Sequence, residues 1–268
     1  MKSALMRITA TAIAAMLIMI LSVFAFPAST KAQESVSTGG TVRVSTFSTS
    51  FATSSESRAH NVMLAASNFV WREVKAGEEL SFNGIVGVRS EERGYKIAHV
   101  INNGEYVEGV GGGVCQVSST LYCAWIRAGL GVKSVRGHSL PSSYCEMSQD
   151  ATVSEAIDLV IVNDCGSAVF INAYTVNRKL IFEIYGTPPQ YEIKLHTQIL
   201  GTIPAGEDIE YVDSLPDGSD YKVITKPKDG YRTCLIADYC KDGEVVESKV
   251  LRNDIYRPTD KKILMVAD

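Results

Sequence analysis

The chain has no run of Lys or Arg longer than a pair such as Lys261-Lys262 in its 268 residues, and its formal net charge is -4. Nucleic-acid binding depends on basic residues clustered against phosphate, so that class is set aside. No CxxC pair occurs, and no cysteines meet histidines at zinc-finger spacing, so no metal site is expected. Three glycines stand together at Gly111-Gly112-Gly113, but no Lys-[Ser/Thr] follows and the G-x-G-x-x-G spacing fails. Phosphate cradling therefore has little behind it, and no cofactor is expected.

Charge is also missing from one long stretch, Ile8 to Phe26. Lys2 and Arg7 precede it, and Ser29-Thr30-Lys31-Ala32-Gln33 follows, with Ala32 placed as the last residue of a leader. Positive start, apolar run and small-residue exit form the secretory signal pattern. The alternative is a retained anchor, because the run lies near the ~20 residues needed to span a bilayer. Either way the folded part is expected in the cell envelope or outside the cell, with membrane contact only through this segment if it is uncleaved. Loss of residues 1–32 removes three basic residues and no acids, taking the charge from -4 to -7.

Six cysteines lie beyond the leader: Cys115, Cys123, Cys145, Cys165, Cys234 and Cys240. In an oxidising compartment an even count suggests disulfides, although a chain of this length does not need them to fold.

Residues 33–55 are rich in Ser, Thr, Gly and Ala, with a short strand expected over Thr41 to Phe47. Ser57 to Phe69 has apolar residues at helical spacing, with Ser57 as N-cap. Leu80 to Val88 reads as strand, turn and strand, and Asn103-Gly104 as a hairpin turn. Gln116 to Arg127 reads as an amphipathic helix with Gly129 just past its end. Val132 to Val135, Ala156 to Val162, Val169 to Val176 and Leu180 to Tyr185 are strand-like, giving an α+β domain. Pro188-Pro189 marks a boundary, and the tail beyond it reads as strands and turns, with hairpin signals at Asp229-Gly230 and Asp242-Gly243.

One constellation has the makings of chemistry. Cys115 follows three glycines, which allow a sharp turn, and falls at a helix start, where unpaired N–H groups favour a thiolate. A nucleophilic thiol needs a base, and the base an orienting acceptor. His138 and Asp150 follow in that order, with Asp158 as the reserve for the third role. This is the chain order of papain-like and transglutaminase-like thiol enzymes. The plainer alternatives are a disulfide between Cys115 and Cys123, Cys145 or Cys165, a merely structural His138, and an Asp150 that only turns the chain.

Ser81-Phe82-Asn83, Val86-Gly87, Glu92-Arg93-Gly94-Tyr95, GGGVCQVSSTLYCA (Gly111 to Ala124), Arg136, His138-Ser139 and Asp150-Ala151-Thr152-Val153 resemble the VanW family from about Val42 to Gly186. Members are similar to accessory products of vancomycin-resistance operons, and their activity is not established. Two departures stand out: Cys123 replaces the usual Asn, and Met147-Ser148-Gln149 replaces a Pro-Gly pair. The tail from Ile193 to Val266 resembles a five-glycine domain, an extracellular β module associated with cell-wall or amino-sugar binding.

The expected organisation is a leader or anchor (1–32), a linker (33–40), a papain/transglutaminase-like α+β domain (41–187) and a small all-β module (190–268). The expected site comprises Cys115, His138 and Asp150, with Gly112, Gly113, Gln116, Ser118 and Tyr122 binding substrate. By the compartment and the resemblance, the expected partner is peptidoglycan or another cell-wall component. It is either the substrate of a thiol enzyme acting on peptide or amide bonds, or the ligand of a non-catalytic binding protein.

Overall fold

The computed structural model describes residues 41–102 and 105–267. The expected leader, the linker over 33–40 and the Asn103-Gly104 turn lie outside the described residues. Within them, no helix is long and apolar enough to cross a membrane.

Strands dominate, with fifteen against three α-helices among the described residues. The α+β expectation therefore becomes a mostly-β fold built around one helix, and no papain- or transglutaminase-like layering is evident in its sheets. Four antiparallel strands run in the order β1 (Val42–Ser50), β9 (Lys179–Gly186), β8 (Val169–Val176), β2 (Arg72–Val74). A second sheet pairs β3 (Glu79–Ser81), β7 (Val160–Val162) and β6 (Gly131–Ser134). Strands β4 (Ile97–Asn102) and β5 (Glu105–Val110) form a hairpin.

The central helix is α3 (Val114–Arg127). Val117, Leu121 and Trp125 are fully buried on the expected stripe, each contributing roughly 1.5–3 kcal/mol of transfer energy. The other face is buried as well. Gln116, Ser118, Ser119 and Thr120 are within 1% of full burial, so the helix is enclosed rather than amphipathic. Its polar side chains find partners instead of water: Thr120 Oγ1 lies 2.8 Å from Thr49 Oγ1, and Ser45 Oγ donates to Ala124 O at 2.6 Å. Trp125 Nε1 donates to Gly131 O just beyond the helix end. Gly129, with φ +79°, follows as expected.

Two local expectations change. The helix α1 (Glu56–Ala66) is capped by Ser55, whose side chain accepts from Arg58 N, and Ser57 falls inside its first turn. Phe82–Val86 is a short helix, α2, rather than a turn and strand. Ser81 caps it by accepting from Gly84 N at 2.8 Å, and Asp158 accepts from Ser81 Oγ and Asn83 N at its start. Polar capping thus overrides the β-branched pattern of Ile85 and Val86.

Beyond Pro188-Pro189 come two three-stranded sheets. One is β10 (Glu192–Ile203), β13 (Gly230–Lys241) and β14 (Glu244–Tyr256); the other is β11 (Glu207–Val212), β15 (Lys261–Val266) and β12 (Tyr221–Thr225). Asp242-Gly243 forms the β13–β14 turn, both residues having positive φ. Asp229-Gly230 is no hairpin, because β12 pairs with β15 and not with β13. Leu235 of β13 joins the same apolar core as α3, and Arg257 N donates to Ser139 O at 2.7 Å. The tail is docked on the element that carries His138.

Candidate active site

Glycines set the position of the thiol. Gly111 and Gly113 have φ of +86° and +109°, a region that costs any other residue strain. A Cβ on Gly112 would lie 2.6 Å from His99 O, so the backbone passes the β4 strand at closest approach. The chain then turns into α3 with Gly113 as N-cap, which places Cys115 in the first helical turn.

Serines on the helix fix the strand opposite. Ser118 Oγ donates to Ala151 O at 2.6 Å, and Ser119 Oγ accepts from Ala151 N at 2.9 Å. That clamp holds residues 150–153 beside the helix start, where Cys115 Sγ donates to Val153 O at 3.3 Å. Thr152 N donates to Arg136 O, tying the same segment to the loop that carries His138.

Asp150 is 1% exposed and His138 8%. Asp150 Oδ2 accepts from His138 N at 2.6 Å and from Nδ1 at 2.5 Å. Nε2 is left on the far side of the ring, 3.5 Å from Tyr144 Oη. Burial works against the imidazolium, but the hydrogen bond to Asp150 and the neighbouring Cys115 outweigh it and raise His138 to about 9. Burial likewise disfavours the Cys115 thiolate, yet the His138 hydrogen bond and the charges of His138 and Arg89 bring the thiol below its ordinary value. Asp150 is also held below the usual carboxylate range, with burial overcome by His138 and Tyr256. The three shifts all run toward the charged forms of Cys115, His138 and Asp150.

All six cysteines are free thiols. The disulfide alternative for Cys115 is not what the structure contains. Cys123 is fully buried, its thiol bonded to Gln149 O, and burial pushes it up to about 12.

A groove of about 1870 Å³ runs over Cys115 and His138. Gly112, Gly113 and Gln116 line it, whereas Ser118 and Tyr122 do not. Gln116 is fully engaged within the protein: Nε2 donates to Thr49 Oγ1 and Ser50 O, and Oε1 accepts from Arg58. Tyr122 is buried beneath the Arg252 guanidinium, 5.7 Å from its ring centroid. Asp158 caps α2 and sits with Ser81 and Asn83 rather than with His138.

Sequence reasoning missed Arg89 and three tail residues. Arg89 lines the groove and donates to Asn83 Oδ1. From β14, Arg252 Nη1 donates to Asp150 O at 2.8 Å while the same guanidinium grips Asp254. Tyr256 Oη donates to Asp150 Oδ1 at 2.5 Å. A separation of 106 residues between Tyr256 and Asp150 leaves no pattern from which to read this contact. Among the described residues, no group of His, Cys, Asp and Glu is arranged to hold a metal.

Residues 57–185 match the family model described as VanW like protein. Over 148 residues the chain is 38% identical to the uncharacterized protein YoaR of Bacillus subtilis, covering 55% of this chain and 49% of that one. Over 203 residues it is 26% identical to the vancomycin B-type resistance protein VanW of Enterococcus faecalis, covering 73% and 67%. The chain thus spans about half the length of YoaR and two thirds of that VanW protein. Two solved G5 domains are also similar to part of it. HP0197-G5 is 21% identical, with 29% of this chain and 99% of that chain covered and a TM-score of 0.18. The IgA1 protease G5 domain is 15% identical, with 31% and 99% covered and a TM-score of 0.21.

Proposed function

Because this chain carries a VanW-like domain over residues 57–185, we propose that it is a thiol enzyme of the cell envelope acting on peptide or amide bonds. The observation that carries this reading is the Asp150–His138 pair beside a half-buried Cys115 whose thiol is drawn below its ordinary value. The order of thiol at a helix start, imidazole and carboxylate is also that of transglutaminase-like enzymes.

The chemistry follows from the atoms. The Cys115 thiolate attacks the carbonyl carbon, forming the S–C bond and a tetrahedral oxyanion. The Cys115 N–H, one of the orphan donors of a helix start, is available to that oxygen. Collapse breaks the C–N bond, and His138 Nε2 gives its proton to the departing amine. Water or a second amine then attacks the thioester, giving a proton to His138, and the C–S bond breaks to release the Cys115 thiolate, so the outcome is hydrolysis or acyl transfer. Asp150 keeps Nδ1 protonated and the ring aimed throughout.

The substrate proposed is the peptide of peptidoglycan, from the expected compartment and the VanW relative. The test is turnover. Purified chain is incubated with cross-linked wall fragments, and mass spectrometry follows cleavage or amine exchange. Turnover that Cys115→Ser abolishes, with binding kept, supports the enzyme. Wall binding without turnover, unchanged in Cys115→Ser, makes it a binding protein instead.

A further inference from the structure

Two inward side chains of β14, Arg252 and Tyr256, meet Asp150, and a third, Asp254, holds Arg252. Alternation along the strand turns Arg252, Asp254 and Tyr256 inward, while Asn253 and Ile255 are exposed. Tyr256 is 0% exposed, and its hydroxyl sits between two groups of one loop. It donates to Asp150 Oδ1 and accepts from Ser148 N, each at 2.5 Å.

We propose that Tyr256 is a positioning residue for the thiol centre, so that Cys115 becomes fully reactive only with the tail sheet docked. The proposal rests on the thiol reading above. Its geometry is specific to the hydroxyl, since a phenylalanine ring would fill the same space. With Oδ2 taken by the two N–H groups of His138 and Oδ1 by Tyr256, the Asp150 carboxylate cannot rotate without breaking a bond. The loop before it needs holding as well. Ser148 is a buried non-glycine residue at φ +62°, a conformation kept only when neighbours over-determine it. Tyr256 and Thr233, both from the tail, supply its hydrogen bonds. Arg252 adds the bond to Asp150 O, and Gly137 has no room for a Cβ against that guanidinium, at 2.5 Å.

Without the hydroxyl, Asp150 Oδ1 is buried with no donor, so its anionic form is disfavoured. A less anionic Asp150 supports the imidazolium less well, and the thiolate retreats first on the acid side.

The experiment is the pH profile of Cys115 alkylation by iodoacetamide in the full chain, read by mass spectrometry, with melting temperatures alongside. Tyr256→Phe is expected to move the acid limb up by about one pH unit, roughly tenfold slower labelling at fixed acid pH. Thr233→Val, which removes a tail bond to Ser148 but none to Asp150, is expected to lower the melting temperature and to move the limb by much less than Tyr256→Phe does. Incorporating 3,5-difluorotyrosine at position 256 keeps the ring and strengthens the donor, and is expected to move the limb down. This variant decides the matter if the phenylalanine chain does not fold. Profiles that superimpose on the unaltered chain, or an equal shift in Thr233→Val, would overturn the positioning role alone. An unaltered chain whose Cys115 labels as an ordinary thiol would overturn the thiol reading and this proposal together.

Discussion

Asp150 holds His138 twice with one oxygen: Oδ2 accepts from the backbone N–H at 2.6 Å and from ring Nδ1 at 2.5 Å. The double contact fixes both where the residue sits and which way its ring faces. It leaves Nε2 as the ring nitrogen turned away from Asp150, 3.5 Å from Tyr144 Oη.

Reactivity should differ sharply among the cysteines. Cys115 is half-buried and lowered, whereas burial raises Cys123 to about 12 and pushes Cys145 up as well. Limiting iodoacetamide at about pH 6 should label Cys115 well before Cys123 or Cys145. Peptide mapping of the alkylated chain checks this, and equal labelling of the three would contradict it.

Asp158 should prove structural. It accepts from Ser81 Oγ at 2.5 Å and Asn83 N at 2.9 Å at the start of α2. Asp158→Asn is expected to cost about 1–2 kcal/mol of stability while leaving the Cys115 labelling profile unchanged. Denaturant melts and the same alkylation assay measure the two effects separately.

Gly112 should tolerate no side chain. An added Cβ would meet His99 O at 2.6 Å and the Ala98 carbonyl carbon at 2.9 Å, both backbone. Gly112→Ala is expected to lose about 2 kcal/mol or more, visible as a lower denaturation midpoint. A midpoint equal to that of the unaltered chain would mean that the β4 strand does not lie against the helix start as described.

Stability should have two pH edges. Asp150 is depressed in the folded chain, so its contribution is present above its unfolded value and lost as the pH falls through the folded one. Cys115, also depressed, contributes fully above its ordinary 9.0 and less as the pH falls from there, which offsets part of the loss from His138. His138 is raised, so its contribution is complete below its ordinary 6.5 and lost as the pH rises through about 9. Melting temperature should therefore peak between these edges, and His138→Ala should flatten the alkaline fall. A fall near pH 9 that persists in that variant would assign the edge to another group.

What the sequence made legible was local. The glycine run, the helix after it and the order of Cys115, His138 and Asp150 are short-range features, and the structure brings these three residues together. The Asp242-Gly243 turn was readable for the same reason, since two residues at positive φ decide it. Less legible was what depends on distant partners. The polar side of α3 looked solvent-facing, but β1 and the segment around Ala151 cover it with matched hydrogen bonds. Leu80 to Val88 looked like strand, turn and strand, and the first strand is present, but Ser81 and Asp158, 77 residues apart, cap a helix where the turn and second strand were expected. Gln116, Ser118 and Tyr122 stood in the motif as candidate contacts for substrate, and their side chains are occupied inside the protein.

The most direct measurement is the alkylation rate of Cys115 against pH in the unaltered chain and in His138→Ala. A paired thiolate predicts fast labelling well below the free-thiol pKa of about 8.5, with the limb shifted up toward that value once the imidazole is gone. Labelling that follows an ordinary thiol in both chains would contradict the account.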